Sequence, residues 1–193
     1  VSRACLSASP AILVCCDLQE DCRPADERST LAAAACVELL ARWRGLRWPV
    51  AHLKRVGERQ WITGAPEWIN AFRPRPDELA FTHHLPSAYS SAHFEQYMQS
   101  IRSSACVLIG YSLDETILAT AVDGYHRNHR YYVANDAVAC KFAPPADVDA
   151  YRRAVIAVVQ KFSGTFRTAE ALPPLLKGGG PDRPRSPWES MSP

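Results

Sequence analysis

Short apolar runs alternate with longer stretches of helical spacing along this chain, and that alternation narrows its fold more than any other feature. AILVCCD (Ala11 to Asp17), PVAHLKR (Pro49 to Arg55), ACVLIG (Ala105 to Gly110) and RYYVAND (Arg130 to Asp136) read as strands, with Leu79 to Phe81 as a short third strand in chain order. Between them an alanine-rich helix is expected from Glu27 to Arg44, ending at Gly45. A second follows in SAHFEQYMQSIRS with Ser90 or Ser91 as its cap, and a third from Leu113 to about Asn128. A last helix is expected from about Ala146 to Ser163, with Val148, Tyr151, Val155, Val158 and Phe162 on one face. Strands that alternate with helices in this way form strand–helix–strand units and a parallel sheet, so the fold class is α/β.

Length and composition set the limits. A chain of 193 residues, 47% hydrophobic, suits one compact domain. That domain is taken as residues 1–177, and 178–193, GGGPDRPRSPWESMSP, as a flexible tail too rich in glycine and proline to pack. The 22 basic and 20 acidic residues are mixed along the chain with no basic run, which argues against nucleic acid and anionic membrane as partners. Seven cysteines would suggest a disulfide framework in a short secreted chain. Here the number is odd and Cys15 and Cys16 are adjacent, so they read as reduced, buried thiols of a cytoplasmic protein. The longest apolar stretch, AILVCC, is too short to span a bilayer.

Open parallel sheets bind ligands beyond the carboxyl ends of their strands. On that rule Asp17, His83 and His84, the segment Gly110 to Thr116, and Asp136 are the candidate positions. Asp17 closes a run of apolar and thiol residues. It reads either as a cap for the turn DLQEDCRP or as a partly buried carboxylate suited to proton transfer.

Three segments resemble the isochorismatase-like hydrolases. AILVCCDLQEDC is similar to their opening strand, LPSAYSS to their Ser-Ala-aromatic segment, and GYSLDETILATAVDGYHRNHRYYVANDAVA to their later strand–turn–helix–strand block. The resemblance covers roughly residues 10 to 172 in the family's order. It implies a Rossmann-like three-layer fold of about six parallel strands and a homo-oligomer, dimer or tetramer. Many members hydrolyse amides with an aspartate, a lysine and a cysteine that forms a thioester. Carried over by position, Asp17 matches the aspartate, His83 stands at the lysine position and Thr116 at the cysteine position. A threonine hydroxyl is a far weaker acid than a thiol and needs a strong base to attack. Histidine in place of lysine exchanges a permanent cation for a group largely neutral above about pH 6.5, so its support for Asp17 is expected to fade as pH rises. Other members cleave a vinyl ether with the aspartate as proton donor and water as the attacking species, and this residue set is closer to that chemistry.

The resemblance also implies a cis peptide at Tyr111–Ser112 and an oxyanion hole with donors on Ser112 and Thr116. The alternative for that segment is an ordinary strand-to-helix turn capped by Ser112. Metal-dependent relatives carry Asp-x-His after the second strand, where this chain has Arg55 and Gly57, and the rings of His83 and His84 would diverge on an extended segment. No metal and no cofactor is expected. The irregular stretch Arg55 to Asp77, with Trp61, Trp68 and Phe72, reads either as a packed surface loop or part of a subunit interface, or as a lid over an aromatic or other apolar substrate. Cys22 is placed at the pocket wall and, with no flanking base, is a poor nucleophile. The sequence therefore points to a hydrolase of a small organic molecule working by acid–base chemistry at Asp17 without a cysteine thioester. The alternative is a catalytically silent relative that binds a metabolite or acts as an oligomeric partner. The two differ in whether Asp17, His83 and the Ser112 and Thr116 amides face an open pocket or one filled with side chains.

Overall fold

The computed structural model describes residues 10–57, 67–101, 105–142, 147–168 and 170. Trp61, residues 171–177 and the expected tail at 178–193 lie outside the described residues.

Six strands form one parallel sheet: β1 (Ile12–Cys16), β2 (Val50–Arg55), β3 (Leu79–His83), β4 (Ala105–Tyr111), β5 (Arg130–Ala139) and β6 (Gly164–Phe166). Their order is β3-β2-β1-β4-β5-β6. β1 is central and all five of its residues are buried, which is why its sequence shows no polar alternation. Helix α1 (Glu27–Leu46) covers one face, where Cys36, Leu39, Leu40 and Trp43 pack on Leu13, Cys15 and Ile109. The Trp43 indole N–H donates to Ala11 O at 3.0 Å, so this large ring is buried with its one polar atom satisfied. Helices α2 (Ala92–Ser100), α3 (Leu118–His126) and α4 (Val148–Val159) cover the other face. The chain is thus the expected three-layer α/β fold. Strand order reverses between β1 and β4, and a crevice opens there at the carboxyl ends.

Several boundaries differ from the sequence reading. α1 runs through Gly45 and ends at Leu46, and Arg47 takes the left-handed cap position (φ 54°), its N–H bonding Arg44 O. β3 extends to His83, so this histidine is the last strand residue rather than part of the following loop. Ser91, not Ser90, caps α2. The segment after β4 opens with a π turn, Leu113–Ile117, before α3 begins. On α4 the buried residue is Val159, while Val158 is 43% exposed. Tyr151, Val155 and Val159 succeed one another at i+4, so the seam drifts off the strict 3–4 spacing that picked Val158.

A buried ion network fixes the loop before β3. Glu78, 6% exposed, accepts a bidentate pair from Arg44 (2.7 and 2.8 Å), the Arg75 N–H (2.9 Å) and the His52 ring (2.9 Å). Burial alone would raise the Glu78 carboxyl, but the hydrogen bonds from Arg44, Arg75 and His52 outweigh it and hold it at about 2. A carboxylate held below its unfolded value stabilises the fold at pH values above that unfolded value, and the gain is lost as pH falls towards 2. Glu78 is therefore expected to contribute on the order of 2–3 kcal/mol above about pH 4.5. Denaturant titrations between about pH 5 and 2 should show this loss, and Glu78→Gln should remove that part of the slope. An unchanged slope in the variant would refute the assignment.

Candidate active site

The site is built where β1 and β4 end side by side. The chain leaves β1 through Asp17 in the left-handed region (φ 45°), which turns the carboxylate into the crevice. Gly110 on β4 (φ 109°) lies so close that a Cβ there would sit 2.2 Å from Cys16 O. Only glycine allows this approach and this backbone angle together.

Asp17 is 2% exposed, and both its oxygens are engaged. Oδ1 lies 2.7 Å from His83 Nε2, and Oδ2 accepts from the Thr116 hydroxyl at 2.6 Å. The other His83 nitrogen, Nδ1, lies 2.8 Å from Leu85 O, which can only accept, so Nδ1 carries a hydrogen. The short Nε2···Oδ1 contact then requires one more proton, shared between imidazole and carboxyl. Asp17 is not a cap: Asp26 caps α1, accepting from Ser29 N at 2.7 Å.

Arg55, the last residue of β2, is the group that sequence reasoning missed. It is 3% exposed; its guanidinium donates to Thr116 Oγ1, pairs with Glu115 at 3.1 Å and lies 3.5 Å from Asp17 Oδ2. The Gln19 amide grips the Arg55 backbone, donating to its O (3.1 Å) and accepting from its N–H (2.7 Å). The site therefore holds a permanent cation, and electrostatic support for Asp17 does not rest on His83 alone. The strand-end rule, applied to β2 as it was to the other strands, was the signal that could have found it.

A small cavity of about 10 Å³ is lined by Asp17, Cys22, Arg55, Ser112, Thr116 and Lys141, with Glu115 at its side. A volume near this holds about one water molecule. Ser112 Oγ and Arg55 Nε are buried there without a hydrogen-bond partner. Ser112 makes no side-chain cap bond to the π turn, and the Tyr111–Ser112 peptide is cis. Cys22 lines the cavity as expected, and burial pushes its thiol up to about 12, which keeps it from serving as a thiolate nucleophile. Tyr111 does not join the site: its ring is fully buried and its hydroxyl donates to Ser29 O at 3.3 Å. His84 is exposed. Of the irregular loop, Phe72 is a core residue and Trp68 stacks edge-on to His52, the packed-loop reading for its described part. Among the described residues no group of three or more His, Cys, Asp or Glu is arranged to hold a metal ion.

Comparison with known proteins bears on the same stretch of chain. The isochorismatase domain model matches residues 11–170. A secreted isochorismatase effector of Verticillium dahliae is 24% identical over 137 residues, 66% of this chain and 70% of that protein. An isochorismatase from Pseudomonas putida superposes with a TM-score of 0.72 at 17% identity, covering 87% of this chain and 93% of its own. A cysteine hydrolase from Pseudomonas syringae gives 0.74 at 17%, covering 92% and 97%.

Proposed function

The chain belongs to the isochorismatase family, and on that premise we propose that it hydrolyses a small organic molecule by acid–base chemistry centred on Asp17, without a cysteine thioester. The observation that carries this reading is the 2.7 Å contact of His83 Nε2 with Asp17 Oδ1 beside the cavity, which one shared proton would bridge. A proton held there is available to a substrate, and the carboxylate left behind is stabilised by the Thr116 hydroxyl. Ser112, with its unpaired hydroxyl, and the first-turn N–H of Thr116 are the groups on the cavity wall suited to hold an oxygen that gains charge.

The size of the cavity favours a second reading. About 10 Å³ does not admit an organic substrate, for which sites of about 300 Å³ or more are usual. Arg55 bridges Asp17 and Glu115 across that space, as expected of a silent relative that acts as an oligomeric partner. Catalysis requires that guanidinium to move aside. Assay of the purified protein against isochorismate and a panel of small amides and esters separates the readings. Turnover that depends on Asp17 supports the hydrolase, and no turnover of any of them supports the silent relative.

Thr116 is read as a positioning group rather than a covalent nucleophile. Thr116→Ala removes two hydroxyl hydrogen bonds, one to Asp17 and one from Arg55, and is expected to cost activity about tenfold to a hundredfold without abolishing it. Mass spectrometry of substrate-trapped protein should find no adduct on Thr116; an acyl–Thr116 adduct would reverse the assignment. A homo-oligomer, dimer or tetramer, goes with this reading and is checked by sedimentation. The cytoplasmic assignment is supported by six free thiols buried in the described core, although the Verticillium relative is described as secreted. Among the described residues no helix is long and apolar enough to cross a membrane.

A further inference from the structure

Asp136, singled out as a strand-end residue, takes no part in the site at Asp17. It sits in a bulge of β5: Leu108 pairs with Val133 and Gly110 with Val138, so two steps along β4 are matched by five along β5. Bulges of this kind re-aim side chains at the rims of sheets. Here the bulge brings Asn135 and Asp136 to a cleft of about 400 Å³, which shares no lining residue with the Asp17 cavity.

The cleft is held in shape by polar contacts. Asp136 accepts from the Thr168 N–H (2.8 Å) and hydroxyl (2.7 Å), which fixes the neighbouring Arg167 at the rim. Arg152, from α4, donates to Asn135 O. Arg28, at the start of α1, completes three guanidiniums around one space. Arg28 is paired with Asp149 at 2.6 Å, whereas Arg152 and Arg167 have no ion pair among the described residues. The one carboxylate in the wall, Asp136, is committed to Thr168. Burial holds Arg152 below the usual arginine value, and the charge of Arg28 acts in the same direction. Leu31, Ala32 and Val138 give the remaining wall an apolar surface.

We propose that this cleft is a second binding site, independent of the hydrolase reading, for a small organic carboxylate with an apolar body. Forked guanidiniums match the two oxygens of a carboxylate, and the volume falls within the range of small-molecule sites. Asp136 and Asp149 offset two of the three cations, which suits a monoanion better than a phosphate dianion.

Calorimetric titration of the full chain with benzoate tests this, with benzamide as the uncharged isostere and inorganic phosphate as the anion without an apolar body. Benzoate should bind saturably and at least about tenfold more tightly than either comparator. Arg167→Gln, at an exposed position that should not disturb folding, and Arg152→Gln with Arg167→Gln should each weaken benzoate by about tenfold or more. The proposal is overturned if benzoate does not bind, if benzamide or phosphate binds as well, or if binding ignores Arg167 and Arg152.

Discussion

Asp17→Asn is expected to lower turnover of any substrate by about 10²–10⁴, the usual worth of a positioned acid or base, while the protein stays folded. The amide keeps the size of the carboxyl, can accept from the Thr116 hydroxyl, and can donate to a neutral His83 Nε2, so both bonds of the native site have counterparts. It cannot give up a proton to substrate or take one back. Steady-state rates and a thermal melt on the same preparation check both halves. Native-like turnover by a folded Asp17→Asn protein would end the Asp17-centred mechanism.

Arg55→Met is expected to give the largest loss of stability of any single change in the site. It removes a guanidinium that is 3% exposed and leaves Asp17 (2%) and Glu115 (16%) without their shared cation. Breaking a buried pair from one side costs up to about 3–5 kcal/mol, because the charge left behind loses its cation while it stays buried. Arg55→Lys keeps the charge but loses the fork that reaches Thr116 and Glu115 at once, so it should fall between the two. Urea midpoints at constant slope measure both variants. A loss under about 1 kcal/mol for the methionine variant would mean that Arg55 leaves the pocket readily in solution.

The parts of this site that could be read in the sequence were those that depend on position along one strand. Asp17 follows an unbroken apolar run; alternation says only that His83 and His84 point apart, and the resemblance picked His83 as the inward one. Arg55 was seen only as a mismatch to a metal-ligand pattern. Its partners Glu115 and Thr116 lie 60 and 61 residues further on, and only the β2-β1-β4 order brings them together. The width of the cavity was likewise not legible, since it depends on how far one long side chain reaches across the crevice. The parallel sheet was legible because it repeats one local pattern. The bulge in β5 and the π turn were not, because each is a departure from that pattern imposed by neighbouring strands.

The burial of six cysteine thiols in the described core also makes the protein a reporter of its own opening. An alkylating reagent reacts with thiolate and needs contact with sulfur, so Cys15, Cys16, Cys36 and Cys106 can be labelled only when the helical layers come off the sheet. Their labelling rate in native buffer should follow the population of the globally open state, and destabilising variants should speed all four together. Mass mapping of the labelled sites would then separate a change that loosens the whole sheet from one that frees only the wall at Cys22. That distinction does not depend on knowing the substrate.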